Sequence, residues 1–202
     1  MGRNIALTGA TGFLGSALKY ELESLGDRVF SISRRQSTNP DHITWDIPEK
    51  RIETAKLEGV DAVVDLAGAK KSRIWDSRIE GTKLLCSKLA SLERRPKTLI
   101  SASAVGIYGP DRGDEVLTEL SSAGEGFFAQ LGEEWEAATS EAAVAGVRVV
   151  NLRIGIVMDW KGGALKAMKT PFSLGLGGIV GNGKQWVSWV SLIDFIRVVT
   201  YL

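Results

Sequence analysis

Short apolar runs alternate along this chain with segments in which apolar residues recur every three or four positions. The apolar runs have the length of β-strands and predict strands at residues 4–8, 28–33, 43–45, 62–66, 98–101 and 147–153. The periodic segments predict helices at residues 13–25, 76–93, 127–145 and 191–202. Strands that alternate with helices are typical of βαβ units, so the pattern predicts an α/β fold with a doubly wound parallel sheet.

Two of these strands carry almost no polar residues. The runs at 62–66 and 98–101 are apolar nearly throughout, whereas a strand with one wet face would alternate apolar and polar residues. Continuous apolar strands are expected where helices cover both faces of a sheet. The pattern therefore predicts helices on both sides.

The last part of the chain has a different character. Residues 170–185 are rich in glycine and predict an irregular loop, and the chain then stops at Leu202 within a helical pattern that has no cap. We therefore expect a fragment of a longer protein. On this interpretation residues 1–169 form one domain, and residues 170–202 belong to an incomplete segment that follows it.

Composition and charge narrow the range of functions. The 202 residues carry 25 Lys and Arg against 24 Asp and Glu, a net charge of +1, so no basic surface predicts binding to nucleic acid or to an anionic membrane. No apolar stretch reaches the roughly 18–20 residues that span a bilayer. With a single cysteine, Cys86, and a single histidine, His42, we expect neither a disulfide nor a metal site. We expect a soluble cytoplasmic protein, with Cys86 buried in a helix and His42 in a solvated loop.

A glycine-rich turn follows the first predicted strand and leads directly into a helix. In such a turn Gly9 would permit the tight bend, Gly12 would admit a diphosphate, and Gly15 would let the helix pack closely on the strand. The helix N-terminus would present free amides to the diphosphate. This context predicts the dinucleotide-binding turn of a Rossmann fold, whose further contacts would be Thr11, Phe13 and Leu14. The alternative is an ordinary glycine-rich turn.

The end of the second strand bears on the choice of dinucleotide. Arg34 and Arg35 stand where an acidic residue would bind the ribose of NAD. A guanidinium matches the 2′-phosphate of NADP, so the sequence favours NADP over NAD. Alternatively, both arginines are solvated loop charges.

Small or polar residues also follow other predicted strands. Ligands of open α/β sheets bind beyond the carboxyl ends of the strands, so these positions predict further cofactor contacts. We expect Asp46 near the adenine and the loop after the fourth strand near the ribose. The set of strand-end candidates is Asp46, Leu66, Ala67, Gly68 and Ser101. Taken singly, Asp46 or the Ala67-Gly68 pair could be ordinary turn residues.

Together these motifs resemble those of the extended short-chain dehydrogenase/reductases. More narrowly, the chain resembles the atypical branch described as nucleoside-diphosphate-sugar epimerases, related to the NAD-dependent epimerases and dehydratases. The likeness extends over essentially the whole chain and is carried by residues 8–15, 65–68, 101–109, 114–119, 135–136, 152–155, 171–178 and 185–189. The branch normally has a longer segment between Gly68 and Trp75 and continues beyond Leu202.

The resemblance implies a nicotinamide dinucleotide cofactor, NADP or alternatively NAD, and a small-molecule substrate such as a nucleotide-sugar or another carbonyl or hydroxyl compound. It also places Arg153 among the cofactor contacts and Ser103 at the reacting oxygen of the substrate. Trp186, Ser188 and Trp189 would line the substrate side or, alternatively, pack in the core. The sequence does not determine the oligomeric state, and a dimer is one of the alternatives.

The wider superfamily moves protons with a Tyr-x-x-x-Lys pair, and the resemblance places Phe128 and Gly132 at those two positions. A phenyl ring neither gives nor takes the proton. Tyr108 could supply a phenol from another direction with Arg112 as a conceivable cation, or it could be a packing residue. Two functions therefore remain open. One is an NADP-dependent oxidoreductase or epimerase, and the other is a non-catalytic dinucleotide-binding regulator or interaction module.

Overall fold

The structure, a computed structural model, describes residues 2–68, 74–179 and 181–202. The chain divides into two compact units, Met1–Arg153 and Ile154–Leu202. In the described part of the chain, no helix is both long enough and apolar enough to cross a membrane.

A seven-stranded sheet forms the centre of the first unit. Its strands lie in the spatial order β4-β3-β2-β1-β5-β6-β7. Parallel pairing joins β1 to β2 and β5, β2 to β3, and β5 to β6, while the short edge strand β4 pairs antiparallel with β3. The strands are β1 (Asn4–Thr8), β2 (Arg28–Ser33), β3 (His42–Asp46), β4 (Arg51–Ile52), β5 (Ala62–Asp65), β6 (Thr98–Ala104) and β7 (Arg148–Ile154).

Helices connect these strands, as the βαβ pattern requires. The α-helices of the first unit are α1 (Phe13–Ser24), α2 (Gly81–Ala90), α3 (Phe127–Ala137) and α4 (Ser140–Val144). A π-helical segment, Asp76–Glu80, runs directly into α2, and 3₁₀ turns occupy Thr54–Lys56 and Val105–Tyr108.

The central strands are buried on both faces, which explains their continuous apolar sequences. Leu7, Val63 and Leu99 have no exposed surface. Pairing places Thr8 opposite Asp65, and Asp65 opposite Ser101. Three polar residues on three adjacent strands therefore form a row across the sheet, at the carboxyl ends of β1 and β5.

The second unit contains a two-stranded parallel sheet and two helices. These elements are β8 (Ile156–Met158), β9 (Trp189–Ser191), α5 (Gly163–Ser173) and α6 (Leu192–Tyr201). Ser191 caps α6, because its hydroxyl accepts a hydrogen bond from the amide of Asp194 at 3.0 Å.

Most of the predicted elements are confirmed, with specific exceptions. The helix predicted at 127–145 is interrupted between α3 and α4, and the predicted 170–185 loop begins only after α5 ends at Ser173. The short strands β4, β8 and β9 were not predicted, since two or three residues carry no periodic signal. The prediction for His42 is wrong, because it lies in β3 and is 8% exposed, whereas Cys86 is buried as predicted.

Candidate functional site

The glycine turn between β1 and α1 is shaped by close backbone contacts. Gly9 has φ +67°, and a β-carbon there would lie 2.7 Å from the carbonyl oxygen of Leu66. A β-carbon on Gly15 would lie 2.2 Å from the carbonyl oxygen of Gly9. Both positions therefore exclude any larger residue without movement of the backbone. Gly12 is exposed at the start of α1, where no side chain from the described part of the chain caps the helix.

The first-turn amides of α1 are thus left for an external acceptor. Of the other predicted contacts in this turn, Thr11 is exposed, and Phe13 and Leu14 are half-buried at the helix start. The turn also abuts the loop after β5, through Gly9 and Leu66. A diphosphate fits this arrangement, because free amides converge there and the missing β-carbon of Gly12 leaves the helix end open.

A buried carboxylate fixes the loop that follows β5. Asp65, 2% exposed, accepts hydrogen bonds from the hydroxyls of Thr8 at 2.5 Å and Thr82 at 3.0 Å. The Thr8 oxygen in turn accepts the amides of Leu66 at 3.0 Å and Ala67 at 2.9 Å. Burial raises the pKa of Asp65, although its hydrogen bonds with Thr8, Thr82 and the Ala67 amide act in the opposite direction.

Two other predicted cofactor contacts follow β2, and one is the last residue of β3. Arg34 and Arg35 are exposed, and neither guanidinium has a hydrogen-bond or ion-pair partner among the described residues. Asp46 is half-buried, accepts the amide of Glu49 at 3.1 Å, and lies 4.0 Å from the guanidinium of Arg51. Both arginines thus remain available to an anion.

A second cluster gathers on β6, α3 and β7. The Ser103 hydroxyl, on a residue 3% exposed, donates to the Glu136 carboxylate at 2.7 Å. Arg153 donates to both oxygens of the same carboxylate, from Nε and Nη2, each at 2.9 Å. Its Nη1 donates to the phenol oxygen of Tyr108 at 2.9 Å, and the phenol donates to the carbonyl of Thr118 at 3.0 Å. One ion pair therefore connects both predicted catalytic residues.

The charges in this cluster stabilise one another. Burial acts to raise the pKa of Glu136, but hydrogen bonds from Arg153 and Ser103 outweigh it, so the pKa lies below its ordinary value. Hydrogen bonds to Glu136 and Tyr108 raise the pKa of Arg153. The pair therefore stays charged at neutral pH. A carboxylate only accepts hydrogen bonds, so the Ser103 hydroxyl donates its proton to Glu136. The lone pairs of the serine oxygen are then left to accept from another donor.

A cavity of about 260 Å³ opens beside this ion pair. Its walls come from the 3₁₀ turn Val105–Tyr108, the following loop, α3 and β7. The lining residues are Ile107, Tyr108, Ser121, Ala123, Glu133, Glu136 and Arg153. It provides hydrogen-bond acceptors, a guanidinium edge and an aromatic ring in one small space.

The positions of the superfamily's proton-transfer pair have a defined environment in α3. Phe128 is 64% exposed, while Gly132 is buried against the 3₁₀ turn. A β-carbon on Gly132 would lie 2.9 Å from Cβ of Ile107. Ile107 therefore occupies the space that a side chain at position 132 would need.

The structure brings some predicted residues together and leaves others apart. Ser103, Tyr108 and Arg153 share one hydrogen-bond network, in which the guanidinium that donates to the Tyr108 phenol is that of Arg153. Arg112 is bound instead to Glu115, at 2.8 and 2.9 Å. Ser101 is buried and Gly68 is exposed, while Trp186 and Trp189, in the second unit, are 80% and 63% exposed.

Sequence reasoning missed Glu136, Asp65 and Thr82 as network residues. Glu136 is separated from Ser103 by 33 residues, and Asp65 from Thr8 by 57, so no spacing rule connects them. For Asp65 a signal was available, because an acidic residue in an otherwise apolar strand predicts a buried polar partner.

Comparison with known proteins shows the family of this chain. Residues 5–202 match the model of the NAD-dependent epimerase/dehydratase family. An epimerase family protein of Mycobacterium leprae is 39% identical over 207 residues, which cover 98% of this chain and 66% of the relative.

Two solved structures are similar to this chain. A nucleoside-diphosphate sugar epimerase from Corynebacterium glutamicum superposes with a TM-score of 0.89 at 38% identity, over 99% of this chain and 43% of that one. The human epimerase family protein SDR39U1, solved with NADPH, gives a TM-score of 0.85 at 32% identity, over 98% of this chain and 69% of that one. This chain thus spans between 43% and 69% of the length of these relatives.

Proposed function

This chain belongs to the NAD-dependent epimerase/dehydratase family, and from that premise we propose that it binds NADP and acts as an oxidoreductase or epimerase. Its substrate in this proposal is a nucleotide-sugar or a similar compound with a hydroxyl or carbonyl group. The solved relatives named as a nucleoside-diphosphate sugar epimerase and as a complex with NADPH support both parts.

The glycine turn carries the proposal. Gly9 and Gly15 admit no side chain, and the open end of α1 beside Gly12 offers amides to a diphosphate. Arg34 and Arg35 would receive the 2′-phosphate, and the loop of Leu66, Ala67 and Gly68 would border the ribose. When bound, the nicotinamide ring supplies the hydride acceptor or donor.

Ser103 has the clearest role toward the substrate. Its proton is directed to Glu136, and its oxygen is therefore oriented as an acceptor. An acceptor holds a substrate hydroxyl better than a carbonyl, so this arrangement favours the alcohol form of the substrate. Arg153 keeps Glu136 ionised and thereby keeps Ser103 in this orientation.

Tyr108 has a less direct role in the proposal. Its phenol donates to Thr118 and accepts from Arg153, so a proton passed to the substrate would first have to leave the Thr118 carbonyl. Either this phenol or a water molecule would handle the proton.

A second candidate function is a dinucleotide-binding module without turnover. The hydrogen bonds already made by Ser103 and Tyr108 within the chain favour it. Both predicted catalytic hydroxyls are bonded within the chain, and position 132 has no room for a cation. In that case the dinucleotide would bind tightly, and replacement of Ser103 or Tyr108 would change nothing but local packing.

Calorimetry with NADPH and NADH tests dinucleotide binding directly. The Gly12→Ala variant adds a β-carbon that would lie 3.2 Å from the carbonyl oxygen of Gly9 and crowd the turn that receives the diphosphate, and we expect it to weaken NADPH binding about tenfold or more. Gly178→Ala is the matched control, because a β-carbon there meets nothing within 4 Å. A flat titration with the folded wild-type chain would refute the proposal.

Turnover distinguishes the two candidate functions. Conversion of a panel of nucleotide-sugars in the presence of NADP, either oxidation with formation of NADPH or epimerisation of the sugar, supports the enzyme if it is lost in both Ser103→Ala and Tyr108→Phe. Tight binding of the dinucleotide without conversion of any of these nucleotide-sugars supports the non-catalytic module.

A further inference from the structure

Arg78 lies at the edge of the proposed cofactor site. It stands on the π-helical segment Asp76–Glu80 and is half-buried. Its guanidinium carbon is 5.0 Å from the ring centroid of Trp135, the geometry of a cation–π contact. A β-carbon on Gly68 would lie 3.6 Å from Nη2 of Arg78. The guanidinium therefore sits between α3 and the loop that follows β5.

This cation has no counter-charge within the described parts of the chain. Burial alone lowers the pKa of Arg78, with no opposing contribution from an acidic neighbour. A guanidinium remains charged in proteins, and its N–H groups are unfavourable to bury unless an acceptor binds them. The position therefore suits a ligand that brings its own oxygen acceptors.

The aromatic surface beneath Arg78 is held in place. The Trp135 indole donates to the Thr82 hydroxyl at 3.1 Å, and that hydroxyl donates to Asp65 at 3.0 Å. The neighbouring residue, Glu136, holds Ser103. Arg78 is thereby fixed with respect to both the end of β5 and the serine cluster.

The order of strands indicates which part of a dinucleotide would reach Arg78. β1 lies between β2, which leads to Arg34 and Arg35, and β5, which leads to Gly68. With the diphosphate on the turn after β1, the adenosine half extends over β2. The nicotinamide half then extends over β5 and β6, toward Ser103.

We propose that Arg78, stacked on Trp135, binds the nicotinamide half of the dinucleotide, through the ribose hydroxyls and the phosphate attached to that ribose. The proposal rests on the proposed dinucleotide binding and extends it, since it assigns a cation to each half of the ligand. Arg34 and Arg35 serve the adenosine half, and Arg78 serves the other.

Three probes test this assignment on the full chain. NADPH carries both halves, reduced nicotinamide mononucleotide carries only the nicotinamide half, and 2′,5′-ADP carries only the adenosine half. The Arg78→Met variant keeps an apolar stem over Trp135 and removes the charge. We expect it to weaken NADPH and reduced nicotinamide mononucleotide about tenfold or more and to leave 2′,5′-ADP unchanged.

The reciprocal variant serves as the control. The double change Arg34→Ala and Arg35→Ala should weaken NADPH and 2′,5′-ADP and leave reduced nicotinamide mononucleotide unchanged. Arg78→Lys retains a charge without the planar fork, so a several-fold loss confined to the nicotinamide probe is expected.

The outcomes separate this inference from the proposed function. If wild type binds NADPH while Arg78→Met binds all three probes as wild type does, the role of Arg78 is refuted and dinucleotide binding stands. If Arg78→Met fails to fold, Arg78→Lys decides: unchanged affinity for the nicotinamide probe, or an equal loss for both half-ligands, refutes the role. If wild type binds none of the three, the proposed function itself fails.

Discussion

Glu136 and Arg153 bind each other through two parallel hydrogen bonds, each 2.9 Å long, and this pair joins α3 to β7. The carboxylate also accepts Ser103, and the guanidinium also donates to Tyr108. One ion pair therefore sets the orientation of two hydroxyls that come from different parts of the chain.

The first prediction concerns the charge of Glu136. Glu136→Gln keeps the shape of the side chain but leaves the guanidinium of Arg153 without its partner, so we expect a loss of about 1–3 kcal/mol in the free energy of unfolding. Urea titration measures it. Glu134→Gln, also on α3, removes the charge of an exposed side chain and keeps an oxygen that accepts from Gln130, so it should change stability by less than about 0.5 kcal/mol. Equal effects in both variants would show that the ion pair contributes nothing particular.

The second prediction concerns pH and Asp65. Because the folded pKa is raised above its ordinary value of 3.8, the folded chain holds this proton at pH values where the unfolded chain has released it. The contribution of Asp65 to stability therefore declines as the pH rises from its ordinary pKa through the folded pKa. Asp65→Asn removes that decline, since an amide does not titrate.

Urea titrations at a series of pH values above about 4 measure this effect. The stability of Asp65→Asn relative to wild type should increase as the pH rises. The contribution of Glu136 to stability changes with pH in the opposite direction. Its pKa is lowered in the folded chain, so its stabilisation is lost as the pH falls through that pKa. A constant difference between Asp65→Asn and wild type at every pH would contradict the prediction.

The third prediction concerns the two α3 positions that lack the superfamily's pair. Phe128→Tyr adds a hydroxyl to a ring that is 64% exposed, so stability should hardly change. Gly132→Ala forces a methyl group to within 2.9 Å of Ile107 and should cost about 1–3 kcal/mol. Thermal unfolding measures both.

Ile107→Gly supplies the control for the Gly132 substitution. Combined with Gly132→Ala, it removes the Cβ and Cγ1 atoms that would lie 2.9 and 3.1 Å from the added methyl group, so the double variant should lose less stability than the two single changes added together. Simple additivity would mean that the contact between these two residues does not limit position 132.

The fourth prediction concerns the choice between NADP and NAD. The double change Arg34→Ala and Arg35→Ala removes two guanidiniums after β2 that have no partner among the described residues, and we expect NADPH affinity to fall about tenfold or more while NADH affinity stays the same. Calorimetry with each nucleotide measures the change. Arg197→Ala, which removes an exposed arginine of the second unit, is the control. Equal wild-type affinities for NADPH and NADH would disprove the preference.

Periodic sequence signals were sufficient for the main elements of this fold and insufficient for its contacts. The βαβ alternation predicted the parallel sheet because burial on both faces requires continuous apolar strands, as at Val63 and Leu99. The glycine turn could be predicted because Gly9, Gly12 and Gly15 lie close together in the sequence, between one predicted strand and one predicted helix. His42 was misplaced, since the polar residues before it resemble a loop although β3 begins at His42 itself.

The candidate site was predictable only in part. Ser103 was identified from the family resemblance and Tyr108 as a nearby phenol, but for the cation beside Tyr108 the sequence offered only Arg112, with nothing to place it. The structure provides Arg153 instead, 45 residues from Tyr108. Adjacent strands bring such residues together, and a single sequence contains no measure of that proximity.

The order of apolar and polar residues alone determined that the chain folds as a parallel α/β sheet with a glycine turn after its first strand. These features depend on local spacing and on the burial of whole segments, both of which are written along the chain. Only the tertiary structure decided that Glu136 joins Ser103 to Arg153, that Ile107 fills the space beside Gly132, and that Arg78 rests on Trp135. These contacts depend on distances between elements, which packing sets after the elements have formed.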